Sequence, residues 1–322
     1  MPRRLFPDGR APPGDVVSDA LFDQRQVGRA FSRAASHYDE AAALQREVAD
    51  RLAESLPYYE DKALGARTPS VALDVGCGTG HLTAQLQQRW PKAQVIGVDL
   101  AAGMLETARQ RLSIKRGLFD FARRPQLLRG DALALPLRAG SVDVLVSNLC
   151  LQWIEDLPGV FAEFRRVLKP DGLLLVSTFA LQTLMELREA FAQADEAPHV
   201  SPFVDIARFG DALVAAGFRD PVLDRDVFRL TQPDLPSIMR ELRTLGATNA
   251  MHDRRRALTG RARFARAAQA YESMRGADGL LPVTWEVVYA QAWGPQPGAP
   301  IRRGGFDEVH VPVTAIPIRR RG

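Results

Sequence analysis

The chain has 322 residues, 46% apolar and 25% charged, with a formal net charge of +4 and a pI near 9.3. That length supports one large α/β domain with elaborations, or two small domains. Two cysteines, Cys77 and Cys150, are too few for a disulfide framework and stand in no Cys/His cluster of metal spacing, so neither an oxidising compartment nor a bound metal is expected. No apolar run follows the basic N-terminus, and the strongest apolar stretch, around residues 173–180, is far too short to cross a bilayer. The reading is a cytoplasmic protein with no membrane segment and no internal repeat.

Residues 1–20, rich in Pro, Gly and Arg, read as a flexible arm, and residues 296–322 as a similar tail. The domain between them, 21–295, opens with a helical pattern over 20–56. A buried strand is expected at 71–75, a helix at 80–90, a strand at 93–98 and a helix at 101–112. A third strand should precede Gly130. Strands at 142–147 and 173–179 follow, with helices at 158–168, 183–194 and 206–216 around them. Such alternation implies a parallel sheet with helices on both faces. The late strands 221–230 and 283–293 lack a full crossover helix, which suggests an antiparallel edge. The mostly helical insertion between them, about 233–280, is placed to cover the ligand end of the sheet.

The central motif is Leu73-Asp74-Val75-Gly76-Cys77-Gly78-Thr79-Gly80, between a strand and a helix. Its glycines permit a tight turn and close ligand approach at the carboxyl end of the sheet. The spacing is not the dinucleotide Gly-x-Gly-x-x-Gly, because position 81 is His. Asp74 just before the turn suits a cationic ligand and would sit badly beside a pyrophosphate. Asp99 ends the second strand, where its carboxylate can accept both hydroxyls of a ribose. Asp131, in Gly130-Asp131-Ala132, can accept an adenine amino group, and Asn148 ends the fourth strand. Cys77, at a helix start, could be a reactive thiol; a small residue packed beneath a ligand is the preferred reading.

Chemistry for an acceptor must be sought elsewhere. After the fourth strand the chain reads Ser147-Asn148-Leu149-Cys150-Leu151-Gln152-Trp153, without the proline pair of enzymes that modify nucleic-acid amino groups. No carboxylate cluster for a divalent metal is visible. In the first helical pattern, Phe31 and Leu44 read as core, whereas the polar tip of Tyr38 could face a site. Residues 240–275 hold nine arginines against Glu241, Asp253 and Glu272, an excess that should attract an acidic partner.

The ordered set of motifs resembles the class I S-adenosylmethionine-dependent methyltransferases. Three further segments make the resemblance particular. They are Phe31-Ser32-Arg33-Ala34-Ala35-Ser36-His37-Tyr38-Asp39 with Gln45; Gly246-Ala247-Thr248-Asn249 with Leu258-Thr259-Gly260-Arg261; and Trp285-Glu286-Val287-Val288-Tyr289 with Ala292-Trp293. Together these are similar to the malonyl-acyl carrier protein O-methyltransferases of biotin synthesis, over roughly residues 25–294. Ala257 departs from the Gly expected there.

The resemblance implies a Rossmann-like, mostly parallel seven-stranded sheet with a helical lid insertion. S-adenosylmethionine would bind at Asp74, Gly76, Cys77, Gly78, Gly80, Asp99, Leu100, Met104, Asp131, Ala132 and Asn148, leaving S-adenosylhomocysteine. Tyr38 and Asn148 would serve catalysis, and Trp153, Arg254, Arg255 and Arg256 the acceptor and its acyl carrier protein. The implied reaction esterifies the free carboxylate of a malonyl thioester, hiding its charge so that the chain can be elongated toward pimelate. Competing readings are a small-acid or quinone-precursor methyltransferase, a cofactor-binding assembly factor of a respiratory complex, and, third, a nucleic-acid binder. The sequence leaves the oligomeric state open.

Overall fold

The computed structural model describes residues 21–61, 67–113, 123–252, 254, 260–303 and 306–308. Its seven-stranded sheet has the order β3-β2-β1-β4-β5-β7-β6. Those strands are β1 (Val71–Val75), β2 (Gln94–Asp99), β3 (Gln126–Arg129), β4 (Val142–Ser147), β5 (Leu168–Phe179), β6 (Arg219–Gln232) and β7 (Leu281–Trp293). The pairs among β1 to β5 are parallel; β7 runs antiparallel to both of its neighbours. The strand order reverses at β1, where β1 lies between β2 and β4, so the carboxyl ends of these three strands open a crevice there.

Side-chain alternation explains why the sheet is covered twice. Leu73, Ile96, Leu145 and Leu174 enter one apolar cluster, with Phe161 and Phe164 of α7 (Leu157–Val167) and Phe209 of α9 (Ile206–Ala215). Their strand neighbours Ala72, Val95, Val144, Leu173 and Leu175 enter the opposite cluster, with Leu52 of α3 (Ala43–Ala53) and Leu86 of α5 (His81–Arg89). Near-continuous apolar strands are what a parallel sheet buried on both faces requires. Asp156, Asp205 and Asp234 cap the helices that follow them by accepting backbone N–H groups. No helix among the described residues is long and apolar enough to cross a membrane.

Two expectations are corrected. The single helical pattern over 20–56 is three helices, α1 (Gln24–Ala34), α2 (Tyr38–Ala41) and α3, with the short α4 (Pro57–Glu60) following them. The break has a tertiary cause. Asp39 accepts from Thr79 Oγ1 at 2.8 Å and pairs with Arg111, while Arg46 Nη1 donates to the Asp39 carbonyl at 2.7 Å. These bonds tie the short α2 to the Gly-rich turn and to α6 (Ala102–Ser113), overriding a continuous helix. The tail is not wholly loose either. Strands β8 (Ile301–Arg303) and β9 (Phe306–Glu308) pair as a hairpin. Arg165 leads into it by donating to the carbonyls of Ala216 and Ala299. The arm 1–20 and the end of the tail, 309–322, lie outside the described residues.

Candidate active site

The Gly-rich turn leaves β1 and enters α5. Gly76 and Cys77 both donate backbone N–H groups to the Val98 carbonyl, which locks the turn to β2. Asp99, at the end of β2, accepts from Gly78 N and Ala101 N, one on each carboxylate oxygen, both at 2.8 Å. One lone pair on each oxygen is left for a diol. Gly76, Gly78, Asp99, Leu100 and Met104 line one cleft, which Asp131, Ala132 and Asn148 complete. Its empty volume, counted out to open solvent, is about 760 Å³.

A second hollow shares Tyr38, Gly76, Gly78 and Asn148 with the first, making one continuous cleft. Asp74 and Cys77 line this end together with Gln45 and Arg46. Asp74 is fully buried and accepts from Thr83 Oγ1 at 2.6 Å; burial pushes its carboxyl up to about 7, against the Thr83 bond, with the nearby Asp99 adding to the rise. Asp99 is also raised by burial. Gln45 Oε1 is buried without a partner. A buried acid with no described cation within 4.0 Å and an orphaned acceptor are the features a bound ammonium would complete. These residues have the chemistry to hold S-adenosylmethionine: Asp74 and Gln45 would face its ammonium, Arg46 its carboxylate, Asp99 its ribose and Asp131 its adenine.

This arrangement predicts proton-linked binding. In the free protein Asp74 keeps its proton up to about pH 7; a cation beside it favours the carboxylate and expels that proton. Calorimetry in two buffers of different ionisation enthalpy should show proton release at pH 6 that falls away as the pH rises past 7. Affinity should accordingly weaken as pH falls below 7. Asp74→Asn should abolish the release; persistence of the release would move the titrating group to Asp99.

Tyr38 faces the cleft, and burial together with the charge of Asp99 raises its hydroxyl well above the usual tyrosine range. Asn148 is pinned: its Nδ2 donates to the Gln45 carbonyl at 3.0 Å and its Oδ1 accepts from Ser177 Oγ at 2.8 Å. The next residue, Leu149, has φ of 47°, a left-handed backbone unusual for a branched side chain. Its N–H is held by both the carbonyl and the hydroxyl of Ser177. Strain sustained this way is typical of functional strand ends.

One sequence reading is extended here and two are corrected. Phe31, read as core, packs against two apolar clusters and also lines the cleft, its ring 5.4 Å from that of Trp153. Gly80 lines neither hollow: it caps α5 and packs on Ala108. Arg254 is not an outward-facing cation. It is partly buried, donates to the Met251 carbonyl at 2.7 Å and lies 4.0 Å from Asp23. Arg255 and Arg256 lie outside the described residues. Cys77 is buried and its thiol raised well above the ordinary range by that burial, as suits a packing residue. Gln24, Gly28 and Arg46 also line the cleft, and no motif marks them.

Strand order, Gly-rich turn and acid-lined cleft define a class I, S-adenosylmethionine-dependent methyltransferase. A family described as "Methyltransferase domain" matches residues 73–176. The chain is 54% identical over 303 residues to a malonyl-acyl-carrier protein O-methyltransferase of Xylella fastidiosa, covering 94% of this chain and 99% of the relative. It is 43% identical over 310 residues to one of Halorhodospira halophila, covering 96% and 99%. The chain belongs to the malonyl-acyl-carrier protein O-methyltransferase family. A crystal structure of a candidate methyltransferase from Bacillus halodurans shares the fold, with a TM-score of 0.51 at 17% identity over 76% of this chain and 99% of that one.

Proposed function

We propose that the chain methylates the free carboxylate of a malonyl group carried as a thioester on acyl carrier protein, in the cytoplasm. The observation that supports this over other methyl acceptors is the extent of the family likeness. The general methyltransferase match ends at residue 176, whereas the relatives align across the insertion and β7 as well.

S-adenosylmethionine supplies a methyl group on a positively charged sulfur. The protein's part is to hold, orient and dry. A malonyl carboxylate is already ionised at neutral pH, so no general base is required. Tyr38, its hydroxyl kept protonated by burial and Asp99, can donate a hydrogen bond but not abstract a proton. The pinned Asn148 amide and the strained Leu149 turn give the cleft a fixed wall. Residues 21–23 clasp the insertion: Phe22 bridges Met251, Asp23 N donates to Ala250 O, and His252 N to Leu21 O. Closing that side excludes water and favours the meeting of opposite charges.

Tyr38→Phe should lower turnover about tenfold or more, the worth of a hydrogen bond to a charged group, with the melting temperature unchanged. Unaltered turnover would return Tyr38 to a packing role. The proposal itself is tested by intact-mass analysis of malonyl-carrier incubated with enzyme and cofactor. A gain of one methyl, removable by an esterase, is expected; an unmodified carrier sinks the reading.

A further inference from the structure

A second cavity adjoins the cofactor cleft, and Trp153 is a wall of both. With an empty volume of about 1360 Å³ it is larger than the cleft. One side is formed by Phe179 of β5 and Trp285 of β7, their rings 5.0 Å apart, and by Phe191 and Leu187 of α8 (Met185–Ala192). The insertion supplies the opposite side: Leu242 of α10 (Leu235–Thr244), then Ala247 in the turn that follows. These residues are apolar, and Gln152, His199, Ser201, Thr248 and Asn249 add polar groups to the lining. Among the described lining residues only Arg243 is exposed, which places it at the mouth. No described carboxylate lies within 4.0 Å of its guanidinium. The other lining arginine, Arg254, is already engaged by Met251 O and Asp23. The nearby acid Asp195 is held by His199 at 2.7 Å and Arg263 at 3.6 Å.

We infer that this cavity is the acceptor channel, taking the carrier's thioester arm with the malonyl carboxylate at the Trp153 end and the arm's phosphate at Arg243. The inference rests on the function proposed above. The arm is a flexible, amide-containing chain, uncharged between the phosphate that joins it to the carrier and the acyl group at its tip. Walls of mixed apolar and hydrogen-bonding residues suit its amide-containing middle, and an exposed guanidinium at the mouth suits a phosphate. Among the described residues the inner end offers no uncompensated cation, so none of them captures the carboxylate in a strong ion pair that would blunt its attack.

Three probes separate the parts of the channel: malonyl-carrier, malonyl-coenzyme A, and malonyl-N-acetylcysteamine, which lacks the phosphate. Arg243→Glu should raise KM at least tenfold for the first two and leave the third within twofold. Ala247→Trp, which fills the channel, should raise KM at least tenfold for all three. Cofactor affinity should stay within twofold in both variants, showing that each is folded. The channel is overturned if Ala247→Trp leaves malonyl-N-acetylcysteamine unaffected. The phosphate contact is overturned if Arg243→Glu harms the short thioester equally, or harms malonyl-carrier and spares malonyl-coenzyme A. Failure of the wild-type protein to methylate any of the three sinks the function itself, and this inference with it; a methylating wild type with insensitive variants sinks the channel alone.

Discussion

Asp99→Ala should weaken S-adenosylmethionine binding by about 2–4 kcal/mol, roughly 30- to 1,000-fold. Two losses combine. Both ribose hydroxyls would enter the cleft without their acceptor, and the N–H groups of Gly78 and Ala101, each now 2.8 Å from a carboxylate oxygen, would lose theirs. The Gly78 bond matters most, because it joins the Gly-rich turn to the end of β2, the two elements that face the nucleoside. Asp99→Asn keeps one acceptor oxygen and should lose less. Titration calorimetry measures the affinity. The rise in melting temperature on adding cofactor should shrink in parallel, as mass action requires. Unchanged affinity in Asp99→Ala would reject the assignment of this strand end.

That Asp74, Gly76, Gly78 and Asp99 would meet at one cleft was legible because the pattern is local. Asp74, the glycines and Asp99 each sit at the end of a short apolar strand, and the same run of sequence makes both strand and site. The acceptor half is not local. The clasp of residues 21–23 on 250–252 joins segments more than 200 positions apart, and no periodicity announces such pairing. The α1 pattern could assign Phe31 to a buried face, but not say that the face meets Trp153 across a ligand cleft. The same limit explains the arginines. As a run they read as one basic surface, yet in the fold Arg266 donates to Ala194 O, Arg263 meets Asp195, and Arg275 pairs with Glu272 and bonds to Pro233 O. Much of the charge is spent on holding the insertion together, which leaves Arg243 facing solvent at the cavity mouth. Helix α1 is similarly placed by a contact without a motif. A β-carbon on Gly103 would stand 2.4 Å from Ser32 O, so only glycine in α6 lets α1 lie this close above the cleft.

Gly76→Ala should be the most damaging single-methyl change in the site. The residue has φ of 72°, where a side chain costs about 1–2 kcal/mol. A β-carbon there would also stand 2.5 Å from Cys150 Sγ and 2.6 Å from Cys150 Cβ. Neither side can yield easily. The Gly76 N–H is held at 2.8 Å by Val98 O, and Cys150 leads into the 3-10 turn Leu151–Trp153 that carries the wall shared by both cavities. Overpacking of this kind costs about 1–3 kcal/mol, so a total loss of about 2–5 kcal/mol in stability is expected, with cofactor affinity falling at least 100-fold as Trp153 and Leu149 are displaced. The two contributions can be separated. Cys150→Gly removes both contact atoms, so the double variant should regain the overpacking part and keep the backbone part. Urea denaturation of the wild type, both single variants and the double variant closes the cycle. A favourable coupling of about 1–3 kcal/mol is expected. Additive effects would mean that Cys150 does not obstruct position 76 and that the left-handed backbone alone demands the glycine.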